Sequence, residues 1–62
     1  MKENRLGKMI RQFRREKSLS IKEFSELCGI STALVSQLER GIGNPSLSVL
    51  RAIASTLGVA LS

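Results

Sequence analysis

Residues 20–41, SIKEFSELCGISTALVSQLERG, decide the fold. Ser20 is an N-cap residue type, and Glu23 three positions later completes the capping-box pattern that opens a helix. Phe24, Leu27 and Cys28 share one face of that helix, and Gly29 supplies the left-handed residue that ends it. Ile30 turns an apolar side chain back inward, and Ser31 caps a second helix. That helix carries Val35 and Leu38 to the interior and closes at Arg40-Gly41. Two short helices joined by a three-residue turn led by glycine make a helix-turn-helix over 21–40.

Outward from this unit, Leu6, Met9, Ile10 and Phe13 fall in one arc at about 100° per residue, predicting helix 1 over 5–17. Lys8, Arg11 and Arg15 take its wet side, and Arg14 falls at the margin of the arc, where it needs a partner. Gly7 costs about 1 kcal/mol against alanine in a helix, which suggests that another backbone approaches there. Residues 1–4 are polar and read as a frayed end. Leu19 is expected to plug the core, and Ser25 to let two helices cross closely. The segment Gly41-Ile42-Gly43-Asn44-Pro45 is dense in turn residues. Ser46 then caps helix 4, over 47–57, with Gly58 at its end. Leu47, Leu50, Ile53, Ala54 and Leu57 share one face of helix 4; Ser48, Arg51 and Ser55 share the other. Val59-Ala60-Leu61-Ser62 open a fifth helix or a linker. The chain reads as one all-α bundle.

At 62 residues the chain holds a single domain near the lower limit for folding without staples. It has no apolar run of membrane-spanning length and no signal-peptide core, so no membrane role is expected. A lone cysteine, Cys28, fits a reducing cytoplasm and reads as a small buried hydrophobe. The chain lacks His, Asp, Tyr and Trp, which removes His-based acid–base pairs and triads, and one cysteine cannot build a zinc site. Enzyme, metal and cofactor functions are therefore not expected.

The net charge is +5. Lys2, Arg5, Lys8, Arg11, Arg14, Arg15, Lys17 and Lys22 crowd the front of the chain, opposed there by Glu3 and Glu16. A small basic chain of this kind suits a polyanion, nucleic acid before a membrane surface.

Helix 3, expected over 32–40, divides cleanly. With Thr32 as origin, Ser36, Arg40, Ala33 and Gln37 fall within roughly the next 140°, and Leu34, Val35 and Leu38 oppose them. Hydroxyls, a methyl, an amide and a guanidinium on one face suit a DNA major groove. Gln pairs with adenine N6 and N7, Ser and Thr reach several base edges, and methyl groups meet thymine. Glu39 lies between the two faces, where its charge would repel DNA. An Arg14–Glu39 ion pair would bring both marginal charges together and brace helix 1 against helix 3; two independent solvated residues are the alternative.

The run LSIKEFSELCGISTALVSQLERGIGNPSLSVLRAIASTLGV, with the lead-in LGKMIRQFRRE, resembles the Xre, or lambda-repressor-like, helix-turn-helix domain from about Leu6 to Val59. Its SQLERG, NPSLSVLRAIA and LGV segments resemble regulators that join this domain to a C-terminal cupin sensor. The resemblance implies a compact four- to five-helix bundle with helix 3 in the major groove, and residues 1–62 are expected to form a single helix-turn-helix domain of a longer chain. By position it implies base reading by Thr32, Ala33, Ser36 and Gln37. It implies phosphate contacts from Ser20, Ile21, Lys22, Ser31, Arg40, Gly41, Asn44 and Ser46, and a structural Arg14–Glu39 pair. Ser25 replaces the usual alanine, and Leu34 stands where a polar residue is frequent, so Leu34 faces either DNA or the core.

The expected function is sequence-specific double-stranded DNA binding by a bacterial or phage transcriptional regulator. A homodimer would sit on a palindromic operator in the cytoplasm, associated with the nucleoid. A small-molecule effector is expected only if a sensor domain follows. The alternatives are a protein-bridging module of the transcription or translation machinery and the antitoxin of a toxin–antitoxin pair.

Overall fold

The computed structural model of the chain describes residues 4–58. Four helices run as α1 (Arg5–Lys17), α2 (Ile21–Cys28), α3 (Thr32–Glu39) and α4 (Leu47–Leu57), with no strand among the described residues. The continuation past Gly58, read from the sequence as a fifth helix or a linker, lies outside them. Among the described residues no helix is long and apolar enough to cross a membrane.

Local chemistry sets most of the helix ends. Ser20 and Glu23 form both bonds of the capping box at the start of α2, and Gly29 (φ 73°) ends it with its N–H on the Ser25 carbonyl. Ser31 and Ser46 cap α3 and α4 by accepting the N–H groups of Leu34 and Val49. Gly58 (φ 79°) closes α4. Arg40 lies just past the end of α3 as its C-cap, one residue short of the predicted helix, because its N–H reaches back to the last turn while its carbonyl is already outside the ladder. The left-handed residue after α1 is Ser18 (φ 56°), a non-glycine in a conformation that glycine usually takes.

Helix α3 packs against both α1 and α2, and α4 packs against α2. The core is Ile10, Phe24, Cys28, Val35, Leu38 and Ile53. The rings of Phe13 and Phe24 meet edge to face, 5.9 Å apart. Ser25 is buried, in keeping with a close helix crossing. Leu34 is half-buried and packs on the core, which answers the question of its direction.

Three sequence expectations need correction, and a fourth, the exposed Arg11, gains a contact. Met9, Leu27 and Leu47 belong to predicted apolar faces yet are 42%, 60% and 60% exposed. Four short helices enclose too little volume to cover every residue of an apolar arc, so those at its edge or near a helix end stay in water. Leu19 is half-buried and outside the core cluster; it contributes its carbonyl, which accepts from Arg14. Asn4 is not frayed. Its Oδ1 accepts the Gly7 N–H at 3.1 Å and its Nδ2 donates to the Glu39 carbonyl at 2.9 Å, so one amide caps the start of α1 and the end of α3. Arg11, placed on the wet side, reaches Glu39 at 3.5 Å with its side chain still 47% exposed.

Candidate nucleic-acid interface

The short α3 has a covered side and an open one. Val35, Leu38 and Glu39 are buried, while Thr32, Ala33, Gln37 and Arg40 are exposed and Ser36 is half-buried at the boundary. The side chains of Lys22, Gln37 and Arg40 are exposed and engaged in no hydrogen bond or ion pair among the described residues.

The residues assigned to phosphate are less uniform than the sequence suggested. Ser20, Lys22, Ser31, Arg40, Gly41, Asn44 and Ser46 are exposed, whereas Ile21 is half-buried against the core and can offer only its helix-start N–H. The Ser20 N–H donates to Glu23 Oε1 at 2.8 Å, and the Gly41 N–H donates to the Leu38 carbonyl at 3.1 Å. Neither N–H is free for an anion. The cap hydroxyls of Ser20 and Ser31 act as acceptors toward the backbone, so each keeps a proton to donate. The positive ends of three helix dipoles, at α2, α3 and α4, lie beside these serines.

Behind the open face lies a buried brace. Arg14 donates to Glu39 through Nε at 2.6 Å and Nη2 at 2.9 Å, and through Nη1 to the Leu19 carbonyl at 3.0 Å. The Glu39 side chain is 5% exposed and that of Arg14 17%. The Arg14 hydrogen bonds hold the Glu39 carboxyl below the usual carboxylate range against the opposing effect of burial; the charges of Arg14 and Arg11 help. The same bond raises the Arg14 guanidinium above its ordinary value. This arrangement turns the only acidic side chain of α3 away from the open face and fixes the C-terminal end of that helix to α1.

Sequence reasoning missed Asn4 and Arg11. An asparagine immediately before a helical run is a cap signal, so Asn4 was within reach of the sequence. The reach of Arg11 depends on how α1 crosses α3, which helical periodicity does not contain. Among the described residues no cluster of His, Cys, Asp and Glu could hold a metal. Cys28 is buried, and burial raises its thiol above the ordinary value, in keeping with packing as a small hydrophobe.

A four-helix bundle whose second and third helices form the turn motif, with α3 open on one side, defines a helix-turn-helix domain. The family model described as helix-turn-helix matches residues 10–62, and the chain belongs to this Xre, or lambda-repressor-like, family. Over 55 residues it is 40% identical to the HTH-type transcriptional regulator DdrOP3 of Deinococcus deserti, covering 89% of this chain and 43% of that protein. It is 33% identical over 57 residues to the HTH-type transcriptional regulator SinR of Bacillus subtilis, covering 90% and 51% respectively. Against the immunity repressor protein of Bacillus phage phi105 it is 35% identical over 57 residues, covering 92% and 40%. The chain thus spans about half or less of each of these relatives. The resemblance to cupin-linked regulators finds no support among them.

Proposed function

We propose that this chain is the sequence-specific DNA-binding domain of a longer transcriptional regulator, with α3 entering the major groove. The observation that carries this reading is the open face of α3. Its small residues, Thr32 and Ala33, stand at the N-terminus where close approach is needed, and the longer Gln37 and Arg40 follow. In this arrangement Thr32, Ala33, Ser36 and Gln37 face base edges. The hydroxyls of Ser20, Ser31 and Ser46, with Lys22, Arg40 and Asn44, flank them toward phosphate. Two copies on a palindromic operator would place their recognition helices about 34–36 Å apart, one DNA turn. Regulation as a repressor, as the immunity repressor of the phage is named, and a cytoplasmic, nucleoid-associated location belong to the same reading.

Gln37→Ala should relax base preference at one operator position and cost about 1–3 kcal/mol on the best site. Binding isotherms on a selected duplex and on its single-base variants measure this; equal loss on every duplex would rule out base reading by Gln37. Lys22→Ala should weaken all duplexes alike and reduce the magnitude of the slope of log K against log salt by about 1. An unaltered slope argues against a phosphate contact there. A titration of the intact chain against selected and scrambled duplexes at two salt concentrations tests the proposal as a whole. A DNA reader shows a specificity ratio, and a protein-bridging module on the same bundle shows none.

A further inference from the structure

The segment after α3 folds back onto the helix it has just left. The Ile42 N–H donates to the Gln37 carbonyl at 2.9 Å, and the Arg40 N–H shares that acceptor at 3.2 Å. Gly41 (φ 77°) and Gly43 (φ 89°) make the reversal, both in the region that disfavours a side chain. The second of them comes to rest beside the Gln37 side chain. An L-methyl group at position 43 would stand 3.5 Å from Gln37 Oε1 and 3.9 Å from Gln37 Cβ. These are ordinary contact distances, so a methyl group would fit there, but only by lying against the amide oxygen.

That oxygen matters to readout. A glutamine that pairs with adenine accepts from N6 through Oε1 and donates to N7 through Nε2, with amide and base nearly coplanar. A methyl group against Oε1 covers one side of the acceptor and biases the amide toward rotamers that turn away from it. We propose that Gly43 is a specificity-determining positioning residue, whose bare backbone keeps the Gln37 amide open and free to align with a base. The role rests on the base-reading assignment of Gln37. It touches no nucleic acid itself; it acts through Gln37, and the Ile42–Gln37 bond holds it in place.

The test uses the 62-residue chain made by chemical synthesis, so that position 43 can carry glycine, L-alanine or D-alanine. D-alanine accepts a positive φ and points its methyl group to the other side of the backbone, which separates backbone strain from crowding of Gln37. Affinities are measured for a duplex selected from a random library by the unaltered chain, and for a scrambled duplex. Circular dichroism on every chain reports helix content. The L-alanine chain should lose roughly 5- to 10-fold in the ratio of selected to scrambled affinity, part of what full removal of the Gln37 contact costs. The D-alanine chain should keep the ratio. In a Gln37→Ala background, L-alanine at 43 should leave the ratio unaltered. Equal loss on both duplexes, equal loss with either enantiomer, or the same drop without Gln37 overturns the role of Gly43. If Gln37→Ala alone leaves base preference intact, the reading of Gln37 fails first, and that of Gly43 with it.

Discussion

Arg14→Ala should lower the unfolding free energy by about 3–5 kcal/mol, the cost of stranding a buried charge. The residue left behind decides the size of the loss. Removal of Arg14 leaves Glu39, with 5% exposure, facing among the described residues only the long 3.5 Å contact of the half-exposed Arg11. Glu39→Ala leaves Arg14, which still donates to the Leu19 carbonyl and is 17% exposed, so it can recruit water. We expect a smaller cost there, about 2–3 kcal/mol. Stability for 62 residues at about 0.05–0.15 kcal/mol per residue is roughly 3–9 kcal/mol, so Arg14→Ala removes much of it. The pair Arg14→Met with Glu39→Leu should recover most of the loss, because neither side chain then needs a charged partner. Urea denaturation of the four chains measures the order; equal costs for the two alanine variants would contradict it.

The brace also predicts an acid limb. Glu39 has its folded carboxyl below the unfolded value of about 4.3, so its contribution is fully present above that pH and is lost as pH falls through the lower folded value. The Arg14 shift lies above its already high ordinary value and has no effect in this window. Stability of the native chain should therefore fall more steeply below about pH 4.3 than that of Glu39→Gln, which has no carboxyl to protonate at this position. Parallel curves for the two chains would assign the acid limb to other carboxylates.

Gly7→Ala should destabilise the domain, although propensity alone predicts a gain of about 1 kcal/mol inside a helix. A Cβ at position 7 would lie 2.5 Å from the Leu38 carbonyl oxygen of α3 and would also collide with the Asn4 amide. The carbonyl is backbone and cannot rotate aside, so α1 must move off α3. Overpacking costs about 1–3 kcal/mol, and loss of the Asn4 cap adds about 1 kcal/mol. After the propensity gain, the net loss is about 1–3 kcal/mol, or roughly 5–25 °C in melting temperature for a domain of this size. A melting temperature at or above that of the native chain would show that the helices are not held this close.

The glycine illustrates how far the sequence could be read. A glycine inside an otherwise regular helical pattern signals a close approach, and the structure supplies what approaches: the carbonyl of Leu38. Helix ends were legible because caps are local. Ser20 with Glu23, Ser31, Ser46, Gly29 and Gly58 each act within a few residues of themselves. The division of α3 was legible for the same reason, since the helical period places Val35 and Leu38 opposite Gln37 whatever surrounds the helix. Burial was less legible. Met9, Leu27 and Leu47 have the right period, but coverage depends on where a second helix ends.

By itself, then, the sequence determined four helices, their caps and the two faces of α3, because each follows from chemistry within a turn or two of chain. Only the tertiary structure decided that Asn4 also closes α3, that Arg11 joins the Glu39 brace, that Leu34 packs inward and that Gly43 lies against Gln37. Each of these depends on a distance between elements, set by how close the helix axes come and where each loop returns, and no periodicity along one strand of sequence encodes such a distance.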